Sequence, residues 1–297
     1  MVGLPARRNG RLFIIGAARS GTTVLQNALN HSPQIFLFGE PDLCGEDGQA
    51  GFAGRYNAMH RSWSNQETKS TFCPPILDED GCWRDYWDRL SKTHRWVGAK
   101  IVVNAMGGPD WIDRLFTFHC RHFYDAHYIF TFRNPLAVVS STHELQLMTG
   151  GGLSGLPAIM ANYAETAALY LRALRNLPNV TAILHEDVGQ ATMRRLGRWL
   201  DVPLTGTERY FDDRRVRRYD ASSFDEEDQR HIQRLDTLYE TLRLAAAESS
   251  APLQLEQNDA HPLEDHFIPI GSAARQAAML SDYFRNLSRQ PALRSTG

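Results

Sequence analysis

The chain has 297 residues, 42% of them hydrophobic and 22% charged, with a formal net charge of −2. That length suits one large or two small domains and buries enough apolar surface to need no covalent staple; the four cysteines, Cys44, Cys73, Cys82 and Cys120, show no C-x-x-C spacing and fit a reducing, intracellular setting. No basic field points to nucleic acid, no apolar run approaches the ~20 residues of a membrane span, and no cleavage site follows Arg7, Arg8 and Arg11, so a cytoplasmic protein is expected.

Leu12–Ile15 is an apolar run that reads as the first strand and ends at Gly16. Gly21, Thr22 and Thr23 follow after four intervening residues, the spacing of a Walker A loop, G-x-x-x-x-G-K-[ST], with Thr22 in place of the lysine. That lysine normally reaches the terminal phosphates of a nucleoside triphosphate. Its replacement argues for a nucleotide without a γ-phosphate, with Arg19 supplying the positive charge. A helix starts near Gly21 and turns Val24, Leu25, Ala28 and Leu29 inward, and Ile35–Phe38 suits a buried parallel strand that stops at Gly39-Glu40-Pro41. Residues 44–80 are rich in Gly, Ser, Asn and Pro and read as a long irregular excursion over one end of the sheet.

Further on, the pattern gives a helix over Asp85–His94, a strand over Trp96–Val103, a helix over Trp111–Asp125 and a strand over His127–Phe132. A helix over Leu136–Met148, a glycine loop at 150–155, a helix over Pro157–Leu177, a strand over Val180–Leu184 and a helix over Gln190–Leu200 complete the alternation. Beyond residue 205 no strand is expected. That region holds Arg214, Arg215, Arg217 and Arg218 and helices near 226–247 and 273–288. The alternation predicts an α/β, three-layer, P-loop-like fold: a central, mainly parallel sheet of about five strands flanked by helices. One domain over 1–297 with a helical extension from about 205 is expected, with ligands at the carboxyl ends of the strands.

Two constellations carry the chemistry. Backbone N–H groups at a helix N-terminus are unsatisfied and partly positive, and glycine lets a phosphate approach them closely. The hydroxyls of Ser20, Thr22 and Thr23 add donors. At the end of the fourth strand Arg133-Asn134-Pro135 offers a guanidinium fork, and Ser141, eight residues on, lies about two helical turns along the next helix beside Ser140. Each motif alone also fits a structural role, as a tight strand–helix turn or a helix start. Together they suggest two phosphate sites at adjacent strand ends and a nucleotide bearing separated 5′ and 3′ phosphates. Glu40, at a strand end facing the glycine loop, is placed either as a general base or as a loop brace. Lys100 sits inside an apolar run, where a lysine is costly unless paired, pointed into a polar cleft or snorkelling at the sheet margin. His119, His122 and His127 surround Cys120 without completing a zinc set, and Trp63, Trp83, Trp87 and Trp96 suit either core or an apolar acceptor pocket.

On these residues the chain resembles the sulfotransferases that use 3′-phosphoadenosine 5′-phosphosulfate (PAPS), closest in motif style to tyrosylprotein-type and bacterial members. Ala18-Arg-Ser-Gly-Thr-Thr23 is the arginine version of their first motif, Gly39-Glu40 is the pair they place after the next strand, and Arg133-Asn-Pro-Leu-Ala-Val-Val-Ser-Ser141 is their second motif. The resemblance implies that Arg19, Ser20, Gly21, Thr22 and Thr23 hold the 5′-phosphosulfate and that Arg133 and Ser141 hold the 3′-phosphate. It makes Glu40 the general base and brings Lys100 to the transferring sulfuryl group, although Ile101-Val102 stand where Thr-Pro or Asp-Pro commonly follows. His185-Glu186-Asp187-Val188 stands where many members have Tyr-Glu-Asp-Leu, with the aromatic near the nucleotide. The implied reaction moves a sulfuryl group to a hydroxyl of a small-molecule, sugar or tyrosine-type acceptor, releases adenosine 3′,5′-bisphosphate and uses no metal. A P-loop small-molecule kinase is the rival enzyme, but it wants an acidic Mg²⁺ site where Arg133 stands. A non-catalytic nucleotide-binding module is the other alternative, and it has no need of Glu40.

Overall fold

The computed structural model describes residues 9–41, 43, 83–103, 111–149, 155–206, 210–211, 219–248 and 263–289. The excursion at 44–80 with Trp63, the glycine loop at 150–154 and the arginine cluster at 214–218 lie outside them. Five strands form one sheet: β1 (Gly10–Ala17), β2 (Ile35–Gly39), β3 (Trp96–Val103), β4 (His127–Phe132) and β5 (Val180–Leu184). The order across the sheet is β2-β3-β1-β4-β5 and every pairing is parallel. The helices are α1 (Thr22–Asn30), α2 (Trp83–Leu90), α3 (Trp111–His122), α4 (Pro135–Thr149), α5 (Leu156–Asn176), α6 (Gln190–Leu200), α7 (Glu226–Glu248) and α8 (Leu263–Arg289).

Right-handed crossovers dictate the layers. The connection from β1 runs outward through α1 to the edge strand β2, whereas those from β2, β3 and β4 run the other way. Alternate residues of β1 therefore serve different layers. Leu12 and Ile14 pack with Leu25, Ala28 and Leu29 of α1 and Met193, Leu196 and Leu200 of α6. Phe13 and Ile15 join the larger core beneath α2, α3 and α5. Connections that leave β1 and β4 in opposite directions open a crevice between their carboxyl ends, the topological switch point where ligands of such sheets bind.

Four departures from the expected elements have local causes. In α1 it is Gln26, not Val24, that is fully buried, Val24 being half-buried. Gln26 Nε2 donates to Leu37 O at 2.9 Å, and Asn30 brackets the same residue, accepting from Leu37 N at 2.8 Å and donating to Leu37 O at 3.0 Å. Side chains of α1 thus satisfy the open edge of β2, a task hydropathy periodicity does not register. Helix α2 starts at Trp83 and stops at Leu90, because residues 91–94 fold back as a turn in which Ser91 Oγ donates to Trp87 O at 2.6 Å. Helix α3 ends at His122, where Phe123 turns the chain toward β4 and its carbonyl accepts from Tyr128 Oη at 2.8 Å. The last helix begins at Leu263, ten residues before the expected 273, and its far half packs on α5, whose buried Glu165 accepts from Ser281 Oγ at 3.1 Å and pairs with Arg285 at 2.8 Å.

The histidines of the α3–β4 region are core residues. His119 is buried edge-on to Phe13, with Nδ1 3.2 Å from Tyr128 Oη. Because that phenol donates to Phe123 O, His119 Nδ1 is the donor and Nε2 carries a buried lone pair without a partner among the described residues. Burial pushes the His119 pKa down to about 3 and that of His127, whose ring lies tilted against Trp96 with centroids 4.5 Å apart, down to about 4. Both fall below the ordinary value near 6.5, so the unfolded chain binds more protons as pH drops, and the stability these rings contribute is present above pH 6.5 and lost toward pH 4. At pH 5 each ring removes about 2 kcal/mol. Urea midpoints taken from pH 7 to pH 5 should fall accordingly, and His119→Phe should flatten that slope; an unchanged slope would show that other groups govern acid unfolding.

Candidate active site

The loop between β1 and α1 is held by its own hydroxyls. Ser20 Oγ donates to Ala17 O at 2.8 Å and lies 2.8 Å from Thr131 Oγ1 of β4, a threonine that the sequence reading does not single out. A Cβ at Gly16 would sit 2.3 Å from that same Thr131 Oγ1 and 2.5 Å from Ser20 Oγ, so only glycine admits this approach of β1 to β4. Ser20 is thus engaged inside the loop, and the donors the loop presents outward come from the start of α1. Gly21 takes φ +94° as N-cap without a side-chain cap, so the first-turn amides of Thr22 and Thr23 have no intrahelical acceptor. Beside Gly21 lies His185, whose Nδ1 would be 2.5 Å from a Cβ placed there. The turn after β5 therefore packs on the loop.

Arg19, with φ +65°, projects across the switch-point crevice, and its Nε donates to Ser141 Oγ at 2.9 Å. This contact joins the loop motif to the β4–α4 motif. Arg133, at the end of β4, has a buried Nε with no hydrogen-bond partner among the described residues. Asn134 caps α4 by accepting from Ala137 N at 3.2 Å. A buried guanidinium nitrogen with no acceptor, uncapped helix amides and a serine already shared between the motifs form a donor set that suits a ligand with two separated anionic groups.

The carboxylate side of the site lies at the neighbouring strand ends. Lys100 is fully buried on β3, opposite Gly39 of β2 and Ile14 of β1. Its ammonium bonds Glu40 Oε1 and donates to Thr23 Oγ1 at 3.2 Å. The main chain reinforces the pair: Glu40 N donates to Lys100 O at 2.8 Å while Glu40 itself is held at φ +50°. Lys100 is thus a cleft lysine, not one snorkelling at the margin, and it links β2 and β3 to the first turn of α1. Of the nine residues singled out for the site, Arg19 bonds Ser141, Lys100 bonds both Thr23 and Glu40, and Gly21 and Thr22 begin the helix that carries Thr23. Trp83, Trp87 and Trp96 go to the core. Among the described residues no group of three His, Cys, Asp or Glu is arranged to hold a metal ion, and no helix is long and apolar enough to cross a membrane.

A family model described as "Sulfotransferase family" matches residues 11–206. The chain belongs to the sulfotransferase family. Among solved structures, the sulfotransferase domain from the curacin biosynthetic pathway is 20% identical and superposes with a TM-score of 0.51 over 93% of this chain and 99% of that one, a likeness of fold. A sulfotransferase from Alicyclobacillus acidocaldarius is 20% identical over 82% of this chain and 96% of that one, with a TM-score of 0.48. Mouse sulfotransferase SULT7A1, solved in complex with PAP, is 10% identical over 94% of this chain and 87% of that one, with a TM-score of 0.38. No curated protein sequence matches the chain significantly.

For a sulfotransferase-family chain the charge layout is chemically coherent. Arg19 and Arg133 follow the carboxyl ends of β1 and β4, and Lys100 of β3 bonds the first turn of the helix whose N-terminus adds partial positive charge. Glu40 is bonded into that cationic set through Lys100. Fixed cations and helix amides of this kind stabilise negative charge. The matched segment ends before α7 and α8, so these two helices lie outside it.

Proposed function

We propose that this chain transfers a sulfuryl group from PAPS to the hydroxyl of a small-molecule, sugar or tyrosine-type acceptor. The observation that carries the reading is the Arg19–Ser141 hydrogen bond at 2.9 Å, which puts the two anion motifs within reach of one nucleotide. Arg19 and the amides of Gly21, Thr22 and Thr23 hold the 5′-phosphosulfate, with Ser20 bracing the loop, and Arg133 and Ser141 hold the 3′-phosphate. Glu40 takes the acceptor's proton as its oxygen forms the new bond to sulfur and the bond from sulfur to the 5′-phosphate oxygen breaks, releasing adenosine 3′,5′-bisphosphate.

Lys100 has two roles in this reading. It pairs with Glu40 and so fixes that carboxylate at the strand end. It also offers its positive charge to the sulfuryl oxygens of the donor. The cationic side chains and loop amides do the work that Mg²⁺ does in kinases, so no metal is required, and the reaction is assigned to the cytoplasm. One domain with a helical extension from about 205 accommodates it.

Titration calorimetry separates the readings. Adenosine 3′,5′-bisphosphate should bind without metal and more tightly than ATP with Mg²⁺, and labelled PAPS should lose its sulfuryl group to an acceptor fraction. Tight ATP·Mg²⁺ binding with no bisphosphate binding would instead establish the kinase reading. Bisphosphate binding without transfer to any acceptor would favour a non-catalytic module.

A further inference from the structure

One peptide group next to the donor site is held at both ends by side chains from distant elements. The carbonyl of Arg133 accepts from Tyr163 Oη of α5 at 3.0 Å. The N–H of Asn134, the other end of that peptide, donates to Glu186 Oε1 at 2.8 Å. Glu186 stands in the single 3₁₀ turn after β5, and its second oxygen, Oε2, accepts from Tyr239 Oη of α7 at 2.8 Å. A peptide plane has two freedoms relative to its neighbours, the ψ of the residue before it and the φ of the residue after it. Fixing its oxygen and its nitrogen together removes both. The plane in question sets the direction in which the Arg133 side chain leaves the backbone.

We infer that Tyr163, Glu186 and Tyr239 are positioning residues that clamp the Arg133–Asn134 peptide, aiming Arg133 at the donor's 3′-phosphate and making α7 a working part of the donor site. The inference rests on the PAPS reading above and extends it to a helix beyond the matched segment. Three points favour a clamp over ordinary packing. Tyr163 and Tyr239 are buried, so their hydroxyls need partners, and each finds one at a strand end, after β4 and after β5 respectively, instead of on its own helix. Burial first, and then the Glu186 carboxylate, hold the Tyr239 phenol well above its ordinary range, so it remains a donor. Glu186 also commits its whole carboxyl group to these contacts. Its two oxygens are taken up by two separate donors, one of them the peptide it steers.

The test measures the 3′-phosphate's share of affinity. The full chain and its Tyr239→Phe, Glu186→Gln and Glu186→Ala variants are titrated with adenosine 3′,5′-bisphosphate and with adenosine 5′-monophosphate. Tyr239→Phe removes one hydroxyl from the clamp and should weaken the bisphosphate about fivefold, the scale of one net hydrogen bond, while the monophosphate is unaffected. Glu186→Ala should weaken the bisphosphate further, and Glu186→Gln, which keeps an acceptor for Asn134 N–H, should fall between wild type and Glu186→Ala. Equal weakening of both nucleotides, or of neither, would overturn the clamp and leave the PAPS reading standing. A wild-type chain with no preference for the bisphosphate would overturn that reading and the clamp with it.

Discussion

Glu40→Gln should lower kcat for sulfuryl transfer by about 10²–10⁴, while affinity for adenosine 3′,5′-bisphosphate should stay within about twofold. The amide keeps the shape and one acceptor oxygen but cannot take the acceptor's proton. None of the groups assigned to the nucleotide's phosphates changes, which is why binding and turnover separate. The substitution also acts on the fold, because Lys100 is fully buried and pairs with Glu40. Removing one partner of a fully buried pair costs about 3–5 kcal/mol, but the Glu40 side chain is 27% exposed and Thr23 Oγ1 remains in place, so about 2 kcal/mol is expected. A lowered Tm could be mistaken for the cause of lost activity, and the double variant Lys100→Met/Glu40→Gln resolves this. It replaces the ion pair by groups that need no counter-charge, so its Tm should recover, whereas kcat should stay at or below that of the single variant. A Glu40→Gln enzyme that keeps more than about a tenth of wild-type kcat would show that another group accepts the proton.

The fold could be read from the chain to the extent that its elements obey local rules. Strands β3, β4 and β5 and helix α6 begin and end where the apolar runs and flanking turn residues place them, because a strand buried on both faces leaves a continuous signature. The glycine loop was equally readable, since spacing alone sets a strand, a tight turn and a helix N-terminus in series. Lys100 was not decidable in this way. A lysine inside an apolar run fits a sheet margin as well as a cleft, and what decides is the register that sets it opposite Gly39 and beside the Glu40 amide. Gln26 defeated periodicity for a related reason: its burial answers the backbone of β2, which lies outside its own helix. The Arg133 clamp joins residues 30, 52 and 53 positions apart along three links, and no window of sequence contains any of them. What the chain does not announce is non-local polar bonding, and here that bonding is what turns a fold into a site.

Arg133→Met should weaken adenosine 3′,5′-bisphosphate by about 10²–10³ while leaving adenosine 5′-monophosphate within about twofold. Two charge-assisted hydrogen bonds from one guanidinium fork contribute about 3–4 kcal/mol, which is that factor in affinity. The loss should shrink as salt rises, because the site is half-open to solvent and its charge–charge part is screened. Stability should not fall with it. Among the described residues the guanidinium makes no ion pair, and its buried Nε has no hydrogen-bond partner, so the substitution removes an unsatisfied donor while the methionine retains apolar contact. This combination separates a binding arginine from a structural one: a structural arginine would lower Tm and weaken both nucleotides together. If the variant loses stability but still prefers the bisphosphate, Arg133 is structural and another group meets the 3′-phosphate. If it keeps its stability and loses only that preference, the guanidinium at the end of β4 is the element that distinguishes a 3′-phosphorylated donor from the far more general class of adenine nucleotides.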